Sequence, residues 1–207
     1  MSYWDAGEPP EAVIAQYRRA AEAVVGFDAY LSVKATALAF SAELAGQLGS
    51  RLHFDSMAPD TVDATLALLE RLDGDLGTTL PSRWRRSDRD AERALELGLR
   101  VRLVKGQWES GDDREPREGF LALIDRLAGR ARHVAVATHD RALAAEALRR
   151  LGDTPTELEQ LYGLPLAPPR ARVYVPFGRG YLPYALRQVR RDPRIAWWVA
   201  RDLVRSR

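Results

Sequence analysis

Cysteine is absent from the 207 residues. That excludes disulfides, thiolate nucleophiles and cysteine-ligated zinc, and fits a reducing compartment. Histidine is scarce: His53, His133 and His139 never stand four apart, so no helical histidine metal site is expected. No run of about 18 uncharged apolar residues occurs, so no integral membrane helix is expected. The opening MSYWDAGEPPEA lacks a basic stretch leading into an apolar one, so no signal peptide is expected. A cytoplasmic protein, or one held peripherally at a membrane, is the expectation. Charge of one sign is also lacking, the formal net charge being +2. Arginines do gather between Arg187 and Arg207, but acidic residues are interspersed elsewhere. The basic tail reads as a solvated helix face, not a nucleic-acid footprint.

What is present is an ordinary globular content, 46% hydrophobic, in a length that suggests a single domain over 1–207. Strand patterns occur at Tyr30–Lys34, Arg51–Asp55, Gly77–Leu80 (weak), Arg100–Lys105, His133–Thr138 and Arg172–Pro176. Thr156–Leu161 is ambiguous between helix and strand. Helices are expected near Pro10–Val25, Ala37–Leu48, Val62–Leu72, Ser87–Leu97, Gly119–Leu127 and Arg141–Leu151. A last one is expected over Tyr184–Arg205, broken at Asp192-Pro193. Repeated strand–helix units imply a parallel sheet covered by helices. The strands lack clean alternation, as expected when both faces are buried. Polar residues collect at the C-terminal strand ends: Lys34, Asp55, Lys105, Thr138-His139 and the turn after Pro176. An open doubly wound sheet would gather them at one crevice; their spread over nearly all strands favours a (βα)8 barrel. No strand is followed by GxGxxG or a Walker sequence.

The stretch Val101–Glu109, VRLVKGQWE, is the first place to look for a site. Arg102 puts a guanidinium inside an apolar strand, which is expensive unless it is paired or has a ligand. Gly106 permits close backbone approach at the strand end. Strict alternation puts Arg102 and Lys105 on opposite faces, so both reach one ligand only if the chain bends near Gly106. Residue chemistry alone leaves Arg102 open between a structural ion pair and a site. His53 and His133 look structural. Glu157 and Glu159, two apart, would not share a helical face and do not suggest a catalytic carboxylate pair.

The ordered motifs SVKATAL, HFDSM, VRLVKGQWE, VAVATHD, ELEQLYG and RVYVPFG, followed by YLPYALR, resemble the proline dehydrogenase family from Gly7-Glu8 to Leu203. The resemblance implies an FAD-dependent (βα)8 barrel that oxidises L-proline, or a related cyclic amino acid, to pyrroline-5-carboxylate and passes electrons to a quinone-type acceptor. It implies that Asp55 and Arg102 are catalytic, with Arg102 beside the flavin's reactive nitrogen. It implies that Lys34, paired with Asp55, lines the substrate pocket, and that Tyr184 and Arg187 close over the substrate and bind its carboxylate. Lys105, Gly106, Thr138 and His139 would hold the cofactor with Arg102. Glu157 matches the acidic residue of the family's seventh strand. A homo-oligomer is the other partner expectation; metal and nucleic acid are not expected.

Four departures accompany the resemblance. Gln188 stands where the family has a second arginine, which leaves a substrate carboxylate one charge-assisted bond short, about 1.5–3 kcal/mol. Pro81 stands at the family's strand-four glutamine and offers no donor. Gly106-Gln107-Trp108-Glu109 is one residue short and lacks the usual tyrosine. Ser56-Met57 replace the usual Met-Glu. The barrel is expected to be trimmed: its first strand short or missing, and no helix in Gly163–Ala171 between the family's strands seven and eight. An edge left open there is a dimerisation candidate. A catalytically degenerate homologue, serving as a binding or assembly protein, is the alternative function.

Overall fold

The computed structural model describes residues 8–56, 58–162, 171–178 and 197. Met57, the 163–170 connection, and the expected C-terminal helix with Tyr184, Arg187 and Gln188 lie outside the described residues, Trp197 excepted.

Seven parallel strands pair strictly in chain order: β1 (Leu31–Val33), β2 (Arg51–Phe54), β3 (Asp75–Pro81), β4 (Arg100–Val104), β5 (Val134–Ala137), β6 (Thr156–Leu161) and β7 (Ala171–Tyr174). Six helices are described: α1 (Pro10–Ala23), α2 (Ala42–Gly46), α3 (Val62–Leu69), α4 (Ser87–Glu96), α5 (Pro116–Leu127) and α6 (Arg141–Leu151). The expected strands are all present. The weak Gly77–Leu80 pattern is part of a seven-residue strand, and Thr156–Leu161 resolves as β6.

Register explains the layering. Val33, Phe54, Thr78, Val101 and Val134 are mutual partners across five strands, as are Leu80, Leu103, Val136 and Leu158. This face joins Phe120, Leu123, Ile124, Leu143 and Ala147 of α5 and α6 in the core. The opposite face carries Ser32, His53, Gly77 and Arg100 in one register row, and Thr79, Arg102, Ala135 and Glu157 in the next. One wall of the sheet is therefore apolar and the other strongly polar.

The sheet curls toward its polar wall. Strands β1 and β4 would stand about 14 Å apart in a flat sheet, at about 4.8 Å per strand. Arg102 on β4 nevertheless bonds Ser32 on β1 at 2.8 Å and Glu159 on β6 at 2.5 Å. The result is a half-barrel of TIM type. Pro81 lies on β3 and Glu157 on β6, where the resemblance expects them on the fourth and seventh strands.

One expected helix breaks. Ala37–Leu48 is a 3-10 turn at Ala35–Leu38 and then α2, because Ala39 and Phe40 both take positive φ, 49° and 55°. Two successive left-handed residues cannot continue a right-handed helix. Ser41 restarts it by accepting a bond from the Leu44 N–H at 3.2 Å, as an N-cap does.

Candidate active site

Arg102 is the centre of the polar wall and is 4% exposed. Its Nε donates to Glu159 at 2.5 Å, and Nη1 donates to Asp55 at 2.7 Å and Ser32 at 2.8 Å. Nη2 reaches the Tyr30 hydroxyl and the second Glu159 oxygen, both at 3.4 Å. The guanidinium also lies over the Tyr174 ring, 4.7 Å from its centroid. Two carboxylates and an aromatic face compensate the charge that makes this strand anomalous in sequence.

Asp55 stands just beyond β2 and is equally crowded. Besides Arg102 it accepts from the Ser32 hydroxyl at 3.0 Å and the Tyr174 hydroxyl at 3.1 Å. Burial and the Asp55 charge hold the Tyr174 phenol well above 10, so it remains a donor. Lys34 follows β1, where its backbone N–H donates to the buried Tyr17 hydroxyl at 3.0 Å. Burial lowers the proton affinity of its ammonium, while the Asp55 charge pulls it back up. Lys34, Asp55 and Arg102 therefore come together, with Arg102 pairing Asp55 at 2.7 Å.

The residues expected to hold a cofactor lie at the strand ends. Lys105 falls outside β4, with an exposed side chain whose Nζ meets Asp140 at 3.4 Å. Arg117 meets the same Asp140 oxygen at 3.3 Å. Arg102 and Lys105 thus occupy different places, one inside the wall and one at the rim. The bend between strand and loop is Gly106, at φ +90°, where a Cβ would stand 2.9 Å from the Pro81 Cβ. Thr138 is buried; its hydroxyl accepts from the Asp140 N–H at 3.1 Å and its carbonyl from the Gln160 amide at 3.2 Å. His139 Nε2 accepts from the Leu161 N–H at 3.0 Å, so its proton sits on Nδ1.

A second tier of the wall is structural. Arg100 donates to Asp75 at 2.9 Å and lies 4.2 Å from the Tyr30 centroid. His53 Nε2 meets the Thr79 hydroxyl at 2.9 Å, and its ring occupies space that a Cβ on Gly77 would enter, 2.4 Å from Nδ1. Burial, then the charges of Arg102 and Arg100, hold His53 well below 6.5. Glu157 pairs with Arg172 at 2.6 Å.

Sequence reasoning missed Glu159, Ser32, Tyr30 and Tyr174. Glu159 is the instructive one. As a helix, Thr156–Leu161 would separate Glu157 from Glu159; as strand β6 it puts both on one face, where each meets an arginine. Reading the segment as a strand would have exposed that.

Between β1, β7 and α1 a cleft of about 950 Å³ opens, lined by Arg19, Tyr30, Arg102, Glu159, Arg172 and Phe177 among others. Contacts described across it include Tyr30 donating to Glu159 and Arg172 reaching the Asp28 carbonyl at 2.5 Å.

No family model matches the chain. Proline dehydrogenase 1 of Bacillus subtilis subsp. natto is 29% identical over 152 residues, covering 63% of this chain and 50% of that protein. The proline dehydrogenase of Deinococcus radiodurans is 26% identical over 186 residues, covering 78% and 60%. The chain therefore spans about half the length of the curated relatives it matches. Among solved structures, proline utilization A from Bdellovibrio bacteriovorus inactivated by N-propargylglycine matches with a TM-score of 0.65 and 17% identity, over 88% of this chain and 28% of that one. That match establishes a common fold.

Proposed function

We infer that this chain, a divergent member of the proline dehydrogenase family, is a flavin-dependent oxidoreductase acting on the C–N bond of L-proline or a related cyclic amino acid. The product is pyrroline-5-carboxylate, and a quinone-type acceptor takes the electrons. One observation supports this above the rest. Lys34, Asp55 and Arg102 belong to three different strand ends or strands, yet they meet at one buried polar wall.

The donor set fits FAD. Lys105 and Arg117, each with 45% of its side chain exposed, are cations at the rim suited to phosphates. Gly106, Thr138 and His139 belong to the loops of the same rim. A bound flavin supplies the hydride acceptor. Arg102 is the cation on this wall that would offset the negative charge of a reduced flavin. Asp55 keeps Arg102 oriented and, through its charge, holds the proton on Lys34. The resemblance gives Arg187 the substrate carboxylate, a group that a guanidinium suits through two parallel bonds, and gives Tyr184 the cover over it. We expect a homo-oligomer. Among the described residues no helix is long and apolar enough to cross a membrane.

The test is an absorption spectrum after incubation with FAD, followed by anaerobic addition of proline. Flavin bands that bleach with proline are expected. A colourless protein that neither FAD nor FMN reconstitutes would refute the reading.

A catalytically degenerate binding protein is the second reading. It is favoured by the five hydrogen bonds that already occupy Arg102 within the chain. Calorimetry showing tight amino-acid binding without any flavin would support it, and bleaching by proline would eliminate it.

A further inference from the structure

We propose that Glu159 is a positioning residue that latches Arg102: it holds the Nε–Nη2 edge of the guanidinium against β6, and Arg102 turns that edge to a ligand only when Glu159 lets go. The geometry carries this. Glu159 is 2% exposed and grips both Nε and Nη2, whereas Asp55 and Ser32 share Nη1. One side of the guanidinium is therefore anchored independently of Glu159, and releasing the other side pivots the group without freeing it. Tyr30 sets the hold, since its hydroxyl accepts from Nη2 and donates to Glu159. Arg102 and Glu159 also both line the cleft between β1 and β7, so the buried latch borders the cleft.

Release by protonation suits the surroundings. Burial pushes the Glu159 carboxyl up to about 8, with Arg172 pulling down. The groups around it are Arg102 on β4, Arg172 and Tyr174 on β7, Asp55 after β2, Tyr30 before β1 and Arg19 on α1, with Glu157 on its own strand. Protonated Glu159 keeps its shape but loses the charge that competes with a ligand for Arg102. Above the midpoint the carboxylate closes the latch; below it a bound anion or ring edge wins.

The latch rests on the flavin reading only for the ligand it serves, and two readouts keep the two apart. The first uses the full chain without flavin: the 15N signal of Arg102 Nε followed from pH 6 to 9. Wild type is expected to titrate with a midpoint near 8; Glu159→Gln should abolish that step. Tyr30→Phe, which removes a donor to the carboxylate, should move the midpoint upward, and it serves if Glu159→Gln folds poorly. An Arg102 signal that ignores pH, or one that titrates identically in the variants, overturns the latch. The second readout is FAD affinity by fluorescence quenching. Wild type should bind about tenfold more weakly at pH 9 than at pH 6, the scale of one charge-assisted bond, and Glu159→Gln should bind equally at both. Flavin binding with no such difference overturns the latch and leaves the flavin reading standing. No flavin binding at either pH, with the Arg102 titration intact, overturns the flavin reading and leaves the latch standing.

Discussion

Arg102 shows how one residue type can announce a site and conceal its partners. A guanidinium on a buried strand must be compensated, and the structure compensates it with Asp55 and Glu159. Removing one partner of a buried ion pair is strongly destabilising, so Asp55→Ala should cost about 3–5 kcal/mol in urea unfolding; a loss under about 1 kcal/mol would mean that water reaches the pair. The titrations give a second expectation. Glu159 keeps its proton to about 8 when folded but releases it near 4.5 when unfolded, so the folded state binds more protons in that window and stability falls as pH rises through it. His53, held below 6.5, works the other way: it is neutral when folded and protonated when unfolded, so it costs stability below about pH 6.5 and nothing above. Between about 6.5 and 8 the Glu159 decline is therefore unopposed by His53. Denaturation midpoints should fall across that interval in wild type and stay level in Glu159→Gln; a level wild-type profile would show that Arg102 keeps Glu159 ionised. Arg102 was legible because its cost is local to one strand. Glu159 was not, because its meaning depends on whether six residues pair as a strand, which is decided by neighbours about 20 residues away in β5.

At the scale of elements, every strand but β6 was legible from its own apolar run, and β3 was understated because Gly77 and two threonines weaken its pattern. That glycine has a tertiary cause that no local pattern carries. A methyl at Gly77 would stand 2.4 Å from His53 Nδ1 and 3.0 Å from the Arg100 carbonyl, so Gly77→Ala should force His53 off its Thr79 partner and cost about 1–3 kcal/mol, read as a lowered melting temperature. The break before α2 was likewise hidden, since Ala39 is an excellent helix former in isolation. It is exposed and held at φ 49°. Ala39→Gly should therefore leave stability unchanged or raise it by up to about 1 kcal/mol, relief of the left-handed strain outweighing the extra freedom of the unfolded chain. A loss of more than that would mean the turn is not strained. Phe40 should not tolerate the same change, because it packs against the core. The helices are also laced in sequence: α4 reaches the end of α3 through Arg93–Glu70, α5 reaches α4 through Arg126–Glu92 at 2.9 Å, and α6 reaches α5 through Arg150–Asp125 at 2.8 Å. These exposed pairs weaken with salt and set helix order more than stability.

For the whole molecule the decisive feature is the seam. Six strand pairings run from β1 to β7, and the curl brings the two ends face to face across the cleft, where the described residues make side-chain contacts. Arg172 contributes most, joining Glu157 and Asp28 at once. The Asp28 half is exposed and weak, whereas the Glu157 half is only 18–22% exposed and holds β7 to the sheet it borders. A parallel sheet ordered this way is most cooperative at its middle strands, which have neighbours on both sides, and opens first at its edges. Amide hydrogen exchange should therefore be slowest in β3, β4 and β5 and fastest in β1 and β7. Arg172→Ala should accelerate exchange in β7 and β1 while leaving β4 unchanged, because the Arg102 network is anchored to Asp55 and Glu159 and not to Arg172. Protection that is equal in all seven strands, and indifferent to Arg172→Ala, would show that β1 and β7 are not edges and that the barrel closes without help from these side chains.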